Sequence, residues 1–453
     1  MTTLTAISPL DGRYSEKLDD LRPLLSEYGL MKQRVFVEIR WFQYLAEHAH
    51  LPQLPKLSDA ANTLLDSIIN HFSEEDAARI KQIEKMIRHD VKAVEYFLKE
   101  QTSNHSELST LNEFIHFGCT SEDINNLSYA LICKAARADY IVPTLSQIIS
   151  SLSALAHEYA DQPLLARTHG QPATPTSVGK EIANVVYRLQ RQLKQLNAVE
   201  LLGKMNGASG NYNALSIAYP TVDWPRISEQ FIVSLGLGWN PYTTQIEPHD
   251  YIAELCGVLM LINTILIDFN RDMWGYISLG FFTQKIQADE VGSSTMPHKV
   301  NPIDFENAEG NAGLSNALLG HFSAKLPISR WQRDLSDSTV LRNVGVAIAY
   351  AILAYRSTLQ GLSKITLDQE KIAADLDQHW EVLGEAIQTI LRRDGIDQPY
   401  EQLKAFTRGK KIAQPLLHDF IRTLTLSDET RKVLLTLTPG QYIGYAVRLA
   451  KKI

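Results

Sequence analysis

The stretch from Ile252 to Phe269, Ile-Ala-Glu-Leu-Cys-Gly-Val-Leu-Met-Leu-Ile-Asn-Thr-Ile-Leu-Ile-Asp-Phe, decides the fold class. Ile252, Leu255, Leu259, Ile262, Leu266 and Phe269 recur in steps of three and four, the spacing that lays one apolar stripe along a helix. The same rhythm runs through Ile182, Val186, Leu189, Leu193 and Leu196, and nearly so through Leu341, Val344, Ile348, Ile352, Tyr355 and Leu359. Such stripes need more apolar partner surface than one short element offers, so the spacing predicts a bundle of long helices and a homo-oligomer that shares it. Strand signals are sparse and no internal repeat appears, which makes the expected class all-α. Working outward, the polar segment Gln101 to Ser106 suggests a boundary near residue 110, and Ile365-Thr366-Leu367-Asp368 suggests another near 364. The expected organisation is three helical domains, 1–110, 111–364 and 365–453, with the bundle in the middle one.

The bulk properties narrow the class of function. A chain of 453 residues with 45% hydrophobic and 21% charged residues has enough apolar material for a sizeable core and is not of a disordered or fibrous kind. Its net charge of −7 argues against a general nucleic-acid binder, so no nucleic-acid partner is expected and any anion must be held by a local cluster. Cys119, Cys133 and Cys256 form no CxxC pair and leave one unpaired under any bonding scheme, which suits reduced thiols. Met1 to Thr5 lacks the basic and apolar segments of a signal peptide. The longest apolar stretch, Val344 to Tyr355, falls short of the roughly 20 residues that cross a bilayer and is expected to be a buried helix. A cytoplasmic enzyme with no membrane partner is therefore the expectation.

The chemistry concentrates in a few segments. Gly292-Ser293-Ser294-Thr295-Met296-Pro297-His298-Lys299-Val300-Asn301-Pro302 combines a flexible glycine, hydroxyls, an ammonium and an amide with two prolines that forbid a continuous helix. This polar loop, within 285–303, is suited to close over an anionic substrate. Asp11-Gly12-Arg13-Tyr14 offers a guanidinium and a phenol on a turn, and Arg88-His89-Asp90 follows a helical stretch that starts at Ser73-Glu74-Glu75-Asp76. Thr120-Ser121-Glu122-Asp123 reads as a helix start capped by Ser121. Arg167-Thr168-His169-Gly170-Gln171-Pro172 places an imidazole on bent backbone, where a group that titrates near neutrality is useful for proton transfer. Gln245-Ile246-Glu247-Pro248-His249-Asp250 and the stretch Arg330 to Asn343, with Arg333, Ser338 and Arg342, add further polar groups. Neither a HExxH pattern nor a Cys/His cluster is present, and no glycine-rich phosphate motif, so neither metal nor cofactor is expected.

The Gly292–Pro302 run resembles the signature loop of the fumarase/aspartase superfamily, Gly-Ser-Ser-x-Met-Pro-x-Lys-x-Asn-Pro, with every fixed position filled. The other segments resemble those of the adenylosuccinate lyase branch, from Asp11 to Asn343. The resemblance implies release of fumarate from a nucleotide substrate and a homotetramer with shared active sites. It implies Ser293 as base and His169 as acid, with His298 as the second candidate base and Lys299 as a catalytic stabiliser of the carbanion together with Asn301. It implies that Thr120, Ser121 and Gln245 orient the succinyl group, that Arg13, Tyr14, His89, Arg333, Ser338 and Arg342 hold the nucleotide, and that Arg88, Asp90 and Asn307 also line the substrate. The rival readings are another lyase of the superfamily, acting on argininosuccinate, and a helical scaffold without activity.

Overall fold

The computed structural model describes residues 2–285, 296, 299–409 and 412–453. The described chain is dominated by helices, of which those used below are α1 (Glu27–His48), α2 (Glu74–Ile87), α3 (Asp90–Thr102), α4 (Ser121–Ala135), α5 (Val178–Ala198), α6 (Asp250–Ser278), α7 (Ile303–Lys325), α8 (Val344–Lys364), α9 (Gln369–Asp377) and α10 (Gly384–Arg393). Among the described residues the strands form only two-stranded ladders: β1 (Pro163–Thr168) with β2 (Gln171–Ser177), β3 (Leu202–Gly203) with β4 (Gly238–Trp239), and β5 (Phe282–Gln284) with β6 (Ile365–Leu367). By contact density the chain divides into two compact units, 1–144 with 192–264 and 310–354, and 145–191 with 265–309 and 355–453.

The stripes behave largely as their spacing predicts. In α6 all six stripe residues are buried, from Ile262 at 0% to Phe269 at 4% exposure, and in α5 Ile182, Val186, Leu189 and Leu196 are buried while Leu193 stays half-exposed. The third run is not one helix: a short helix ends at Leu341, Arg342 and Asn343 form a turn, and α8 restarts at Val344. An apolar period continues through that turn because both helices bury the same kind of face, which spacing alone cannot distinguish from one unbroken helix. Within the first unit the helices are cross-linked by buried amides and hydroxyls. Asn263 of α6 donates to Ser315 and Asn316 of α7 at 3.2 and 2.9 Å, and Ser315 donates to the Ala347 carbonyl of α8 at 2.8 Å. Within the second unit Asn270 of α6 donates to Thr358 of α8 at 3.1 Å, and Lys364 pairs with Asp304 of α7 at 2.9 Å.

Two corrections concern single signals. By length and composition α6 and the stretch Ser336–Lys364 are each apolar enough to cross a membrane, where the longest uninterrupted apolar run had suggested no such element. About half of each apolar window is buried against other protein, and the buried Asn263 and Asn270 within α6 donate to neighbouring helices, as in the core helices of a bundle. Among the described residues the hairpin β1–β2 is the largest strand element, although residues 163–177 carry no clear strand signal. Pro172 and Pro175 lie inside β2, and proline, which cannot donate to a ladder, normally argues against a strand. An isolated two-stranded edge tolerates them.

Candidate active site

The N-terminus of α4 organises the candidate site of the first unit. Thr120, not Ser121, is the cap: the Asp123 carboxylate accepts from the Thr120 N–H at 2.8 Å, a reciprocal box that the Thr-x-x-Asp spacing allows as readily as a serine cap. Ser121 then becomes the first helical residue, and its hydroxyl lies 3.4 Å from His89 Nε2. Asp123 is fully buried and also accepts from the N–H groups of Asn206 and Gly207 at 3.0 and 3.1 Å. Its charge is matched by Lys204, equally buried, with Nζ 3.0 Å from Oδ1.

Around this start the chain gathers distant segments. Arg88 ends α2 in the left-handed region at φ 61°, which turns the chain so that His89 caps α3, its Nδ1 accepting from the Lys92 N–H at 3.1 Å. Asp90 is gripped by Arg34 of α1 at 2.7 Å and by Arg342 at 3.1 Å. Burial alone would raise the Asp90 carboxyl, but the two guanidinium groups and a backbone N–H hold it below the usual carboxylate range. Arg34 also donates to Asn125 at 2.8 Å, Asn125 donates to Glu122 at 2.8 Å, and Glu122 accepts from Arg333 at 2.9 Å. Arg333 reaches Gln245 at 3.4 Å, and its buried Nε has no hydrogen-bond partner. The result is one network of charges and amides that joins residues 34, 90, 122, 125, 245, 333 and 342. Arg13 is exposed and Tyr14 half-buried on a turn closed by Gly12 N–H to Ser8 carbonyl at 3.0 Å, and Ser338 follows the buried Asp337, whose carboxylate accepts from the Ser338 N–H at 2.7 Å.

The loop that delivers Thr120 is itself anchored. His116, in the left-handed region at φ 62°, places Nδ1 2.7 Å from the fully buried Glu38, and Trp41 donates to the Phe117 carbonyl at 3.2 Å. Burial pulls the His116 imidazole down, yet the Glu38 charge and hydrogen bond outweigh it and hold it above its ordinary value. A raised folded value means that this pair stabilises fully below about pH 6.5, the unfolded value, and that the contribution is lost as pH rises through the folded value. We therefore expect the melting-temperature gap between wild type and His116→Gln to be widest in mildly acidic buffer and to shrink at alkaline pH; a gap independent of pH would refute the pairing.

In the second unit His169 and Gly170 form the two-residue tip between β1 and β2, both with positive φ (54° and 73°). This mirror-image turn matches strand twist, and it leaves the His169 side chain exposed. Of the signature segment, Ser293 and His298 lie outside the described residues. Lys299 is exposed, its N–H bonded to the Met296 carbonyl at 3.0 Å, and Asn301 is half-buried. Asn307 is half-buried on α7, and its amide oxygen accepts from the Ser357 hydroxyl at 2.8 Å.

Sequence reasoning missed Arg34, Glu122, Asn125 and Lys204 as parts of this network. A signal existed for the first: Arg34 and Glu38 sit on the face of α1 that also carries Trp41 and Leu45, all buried, and charges on such a stripe require partners. Cys119, Cys133 and Cys256 are free, and among the described residues no group of three or more His, Cys, Asp or Glu is placed to hold a metal ion.

Comparison with known proteins bears on this geometry. The family profile described as Lyase matches residues 12–314, and the profile described as Adenylosuccinate lyase C-terminal matches 329–443. The chain is 58% identical to the adenylosuccinate lyases of Escherichia coli K12 and Haemophilus influenzae, in each case over 100% of this chain and 99% of the relative. It is 58% identical to that of Vibrio cholerae over 100% of both. Among solved structures it resembles the 3-carboxy-cis,cis-muconate lactonizing enzyme of Pseudomonas putida, with a TM-score of 0.77, 22% identity and 96% of each chain covered. It also resembles a fumarate lyase from Mesorhizobium sp. BNC1, with a TM-score of 0.77, 19% identity and 96% and 97% covered. At such identities the structural likeness speaks to the all-α fold alone.

Proposed function

The chain belongs to the adenylosuccinate lyase family of the fumarase/aspartase superfamily, and from that premise we propose how its residues divide the reaction. The enzyme cleaves adenylosuccinate to AMP and fumarate, and the succinyl-aminoimidazole carboxamide ribotide to its amino product, in purine biosynthesis. Both are β-eliminations. A base removes a proton from the carbon beside one carboxylate, the electrons collect on that carboxylate as a dianionic intermediate, and an acid protonates the nitrogen as its bond to carbon breaks.

We assign the acid to His169, which a tight hairpin presents to solvent on a tip with no neighbouring atom crowding Gly170. The base is Ser293, with His298 as the alternative, and Lys299 and Asn301 supply positive charge and hydrogen bonds to the dianion. A serine hydroxyl is far too weak an acid to ionise in water, so the signature loop must stabilise its alkoxide. Thr120 and Ser121, at the helix start where N–H groups and the dipole favour an anion, orient the succinyl carboxylate with Gln245. Arg13, Tyr14, His89, Arg333, Ser338 and Arg342 hold the nucleotide, Arg88 and Asn307 line the substrate, and Asp90 fixes Arg342.

The observation that carries this assignment is the charged network around the start of α4, where Arg333 keeps a buried N–H unspent. Because its guanidinium spans Glu122 and Gln245 in fixed geometry, Arg333→Lys should raise KM for adenylosuccinate by roughly ten- to a hundredfold, the worth of one charge-assisted hydrogen bond at about 1.5–3 kcal/mol. An unchanged KM would remove Arg333 from the site.

The same proposal includes three domains (1–110, 111–364 and 365–453), a cytoplasmic location, and a homotetramer whose sites draw on more than one copy. Tyr187, Leu261, Trp274 and Leu314 on the long helices are 58%, 46%, 48% and 51% exposed, apolar surface that further copies would cover. Fumarate release from adenylosuccinate, with argininosuccinate offered in parallel, tests the substrate. Release from adenylosuccinate alone is expected; release only from argininosuccinate would overturn the nucleotide assignments.

A further inference from the structure

The hairpin that carries His169 has little to hold it from within. Two strands alone are marginal in water, and Pro172 and Pro175 remove two donors from the ladder. Its placement must come from side chains that tie it to other elements of the second unit. Arg167 on β1 is the first such tie: its Nη2 reaches both carboxylate oxygens of Asp375 on α9 at 2.7 Å, and both side chains are largely covered, at 25% and 20% exposure. The same guanidinium lies 6.0 Å from the ring centre of Phe281, a cation–π distance. Phe281 directly precedes β5, after which the signature segment follows in sequence, and its carbonyl accepts from the Asp368 N–H at 2.9 Å. On β2 the second tie is Glu385 of α10, whose Oε2 accepts from the Thr174 hydroxyl at 2.5 Å and from the Tyr442 hydroxyl at 2.9 Å.

We propose that Arg167, Asp375 and Glu385 are positioning residues: by clamping both strands of the hairpin to the C-terminal helices, and β1 also to the root of the signature segment, they set where His169 delivers its proton. The inference rests on the reading of His169 as the acid. It gives the C-terminal region a role in the chemistry, exerted through the position of His169. Arg167 lies two residues before His169, at the end of the same short strand, so a shift at Arg167 carries directly into the turn that bears the imidazole. A displacement of about 1 Å in a proton donor is enough to cost up to a hundredfold in rate.

The test measures kcat and KM for adenylosuccinate in Asp375→Asn, Arg167→Met, Glu385→Gln and His169→Gln, with Asp375→Asn also placed on the His169→Gln background. Asp375→Asn and Arg167→Met should each lower kcat by about ten- to a hundredfold with KM within about twofold, Glu385→Gln should do so less, and Asp375→Asn should cause no further loss once His169 is gone. A general structural role would instead lower activity on both backgrounds alike, and that additivity would overturn the proposal. So would wild-type kcat in Asp375→Asn and Arg167→Met alongside a crippled His169→Gln. If His169→Gln itself keeps its turnover, the acid assignment fails, and the clamp falls with it. Arg167→Met keeps part of the apolar stem of the side chain, and melting temperatures of both variants separate a folding defect from a catalytic one.

Discussion

His169→Gln should leave nucleotide binding nearly intact and lower kcat by about a hundred- to ten-thousandfold, the usual worth of a placed general acid. Glutamine fills a similar volume and still forms hydrogen bonds, but it has no proton to give at neutral pH, so the departing nitrogen would leave as a strong base. The position itself should tolerate the change: the side chain is exposed at the hairpin tip, and φ of 54° is costly for any side chain, histidine included. A fall in kcat with KM unchanged is the signature of an interaction made only in the transition state. A rise in KM with kcat preserved would instead make His169 a binding residue. The companion reading requires Ser293→Ala to bind substrate and lose turnover to a similar extent, and near-normal turnover there would move the base to His298.

Lys204→Met should be the most damaging single change to stability among the residues described above, at about 3–5 kcal/mol. Lys204 and Asp123 are both at 0% exposure with 3.0 Å between charges, and Lys204 also donates to the Gly207 carbonyl at 2.9 Å. Removing the ammonium leaves Asp123 as a buried charge balanced only by backbone N–H groups. A second substitution, Asp123→Asn, should recover part of the loss, because the unpaired charge rather than the missing pair is the main cost. Urea unfolding with an unchanged denaturant slope measures both. A loss under about 1 kcal/mol for Lys204→Met would show that water reaches the pair. The same pair fixes the cap at Thr120, so turnover should fall along with stability.

What could be read from the letters depended on how local the signal was. The stripe in α6 specified a buried helix face because its period is a property of neighbouring residues. The capping box at Ser73 and Asp76 was likewise legible from spacing, and α2 begins there. The hairpin was not legible: two prolines and a His-Gly turn lack the usual strand and turn vocabulary, and the partners Asp375 and Glu385 lie some two hundred residues away in the chain. The shift of the cap from Ser121 to Thr120 was invisible for a related reason, since both residue types cap well and Asp123, tied to Lys204, makes the choice. Most of the candidate site residues carried recognisable motifs, whereas the groups that orient them did not. Arg342 meets Asp90 across 252 positions and Arg34 meets Asn125 across 91, and pairings of that range leave no mark in a single sequence.

The central proposal, that the catalytic sites draw on more than one copy of the chain, is tested most directly by mixing two impaired variants. His169→Gln and Arg333→Ala, each carrying a distinct affinity tag, would be dissociated and reassembled together, and oligomers bearing both tags isolated and assayed for fumarate release at substrate far below the KM of the Arg333 variant, where both parents are nearly silent. Since each site would draw each residue independently from an equal mixture, recovery toward about a quarter of wild-type activity is predicted. Doubly tagged oligomers that remain as inactive as their parents would place His169 and Arg333 of each site in the same chain and contradict the account.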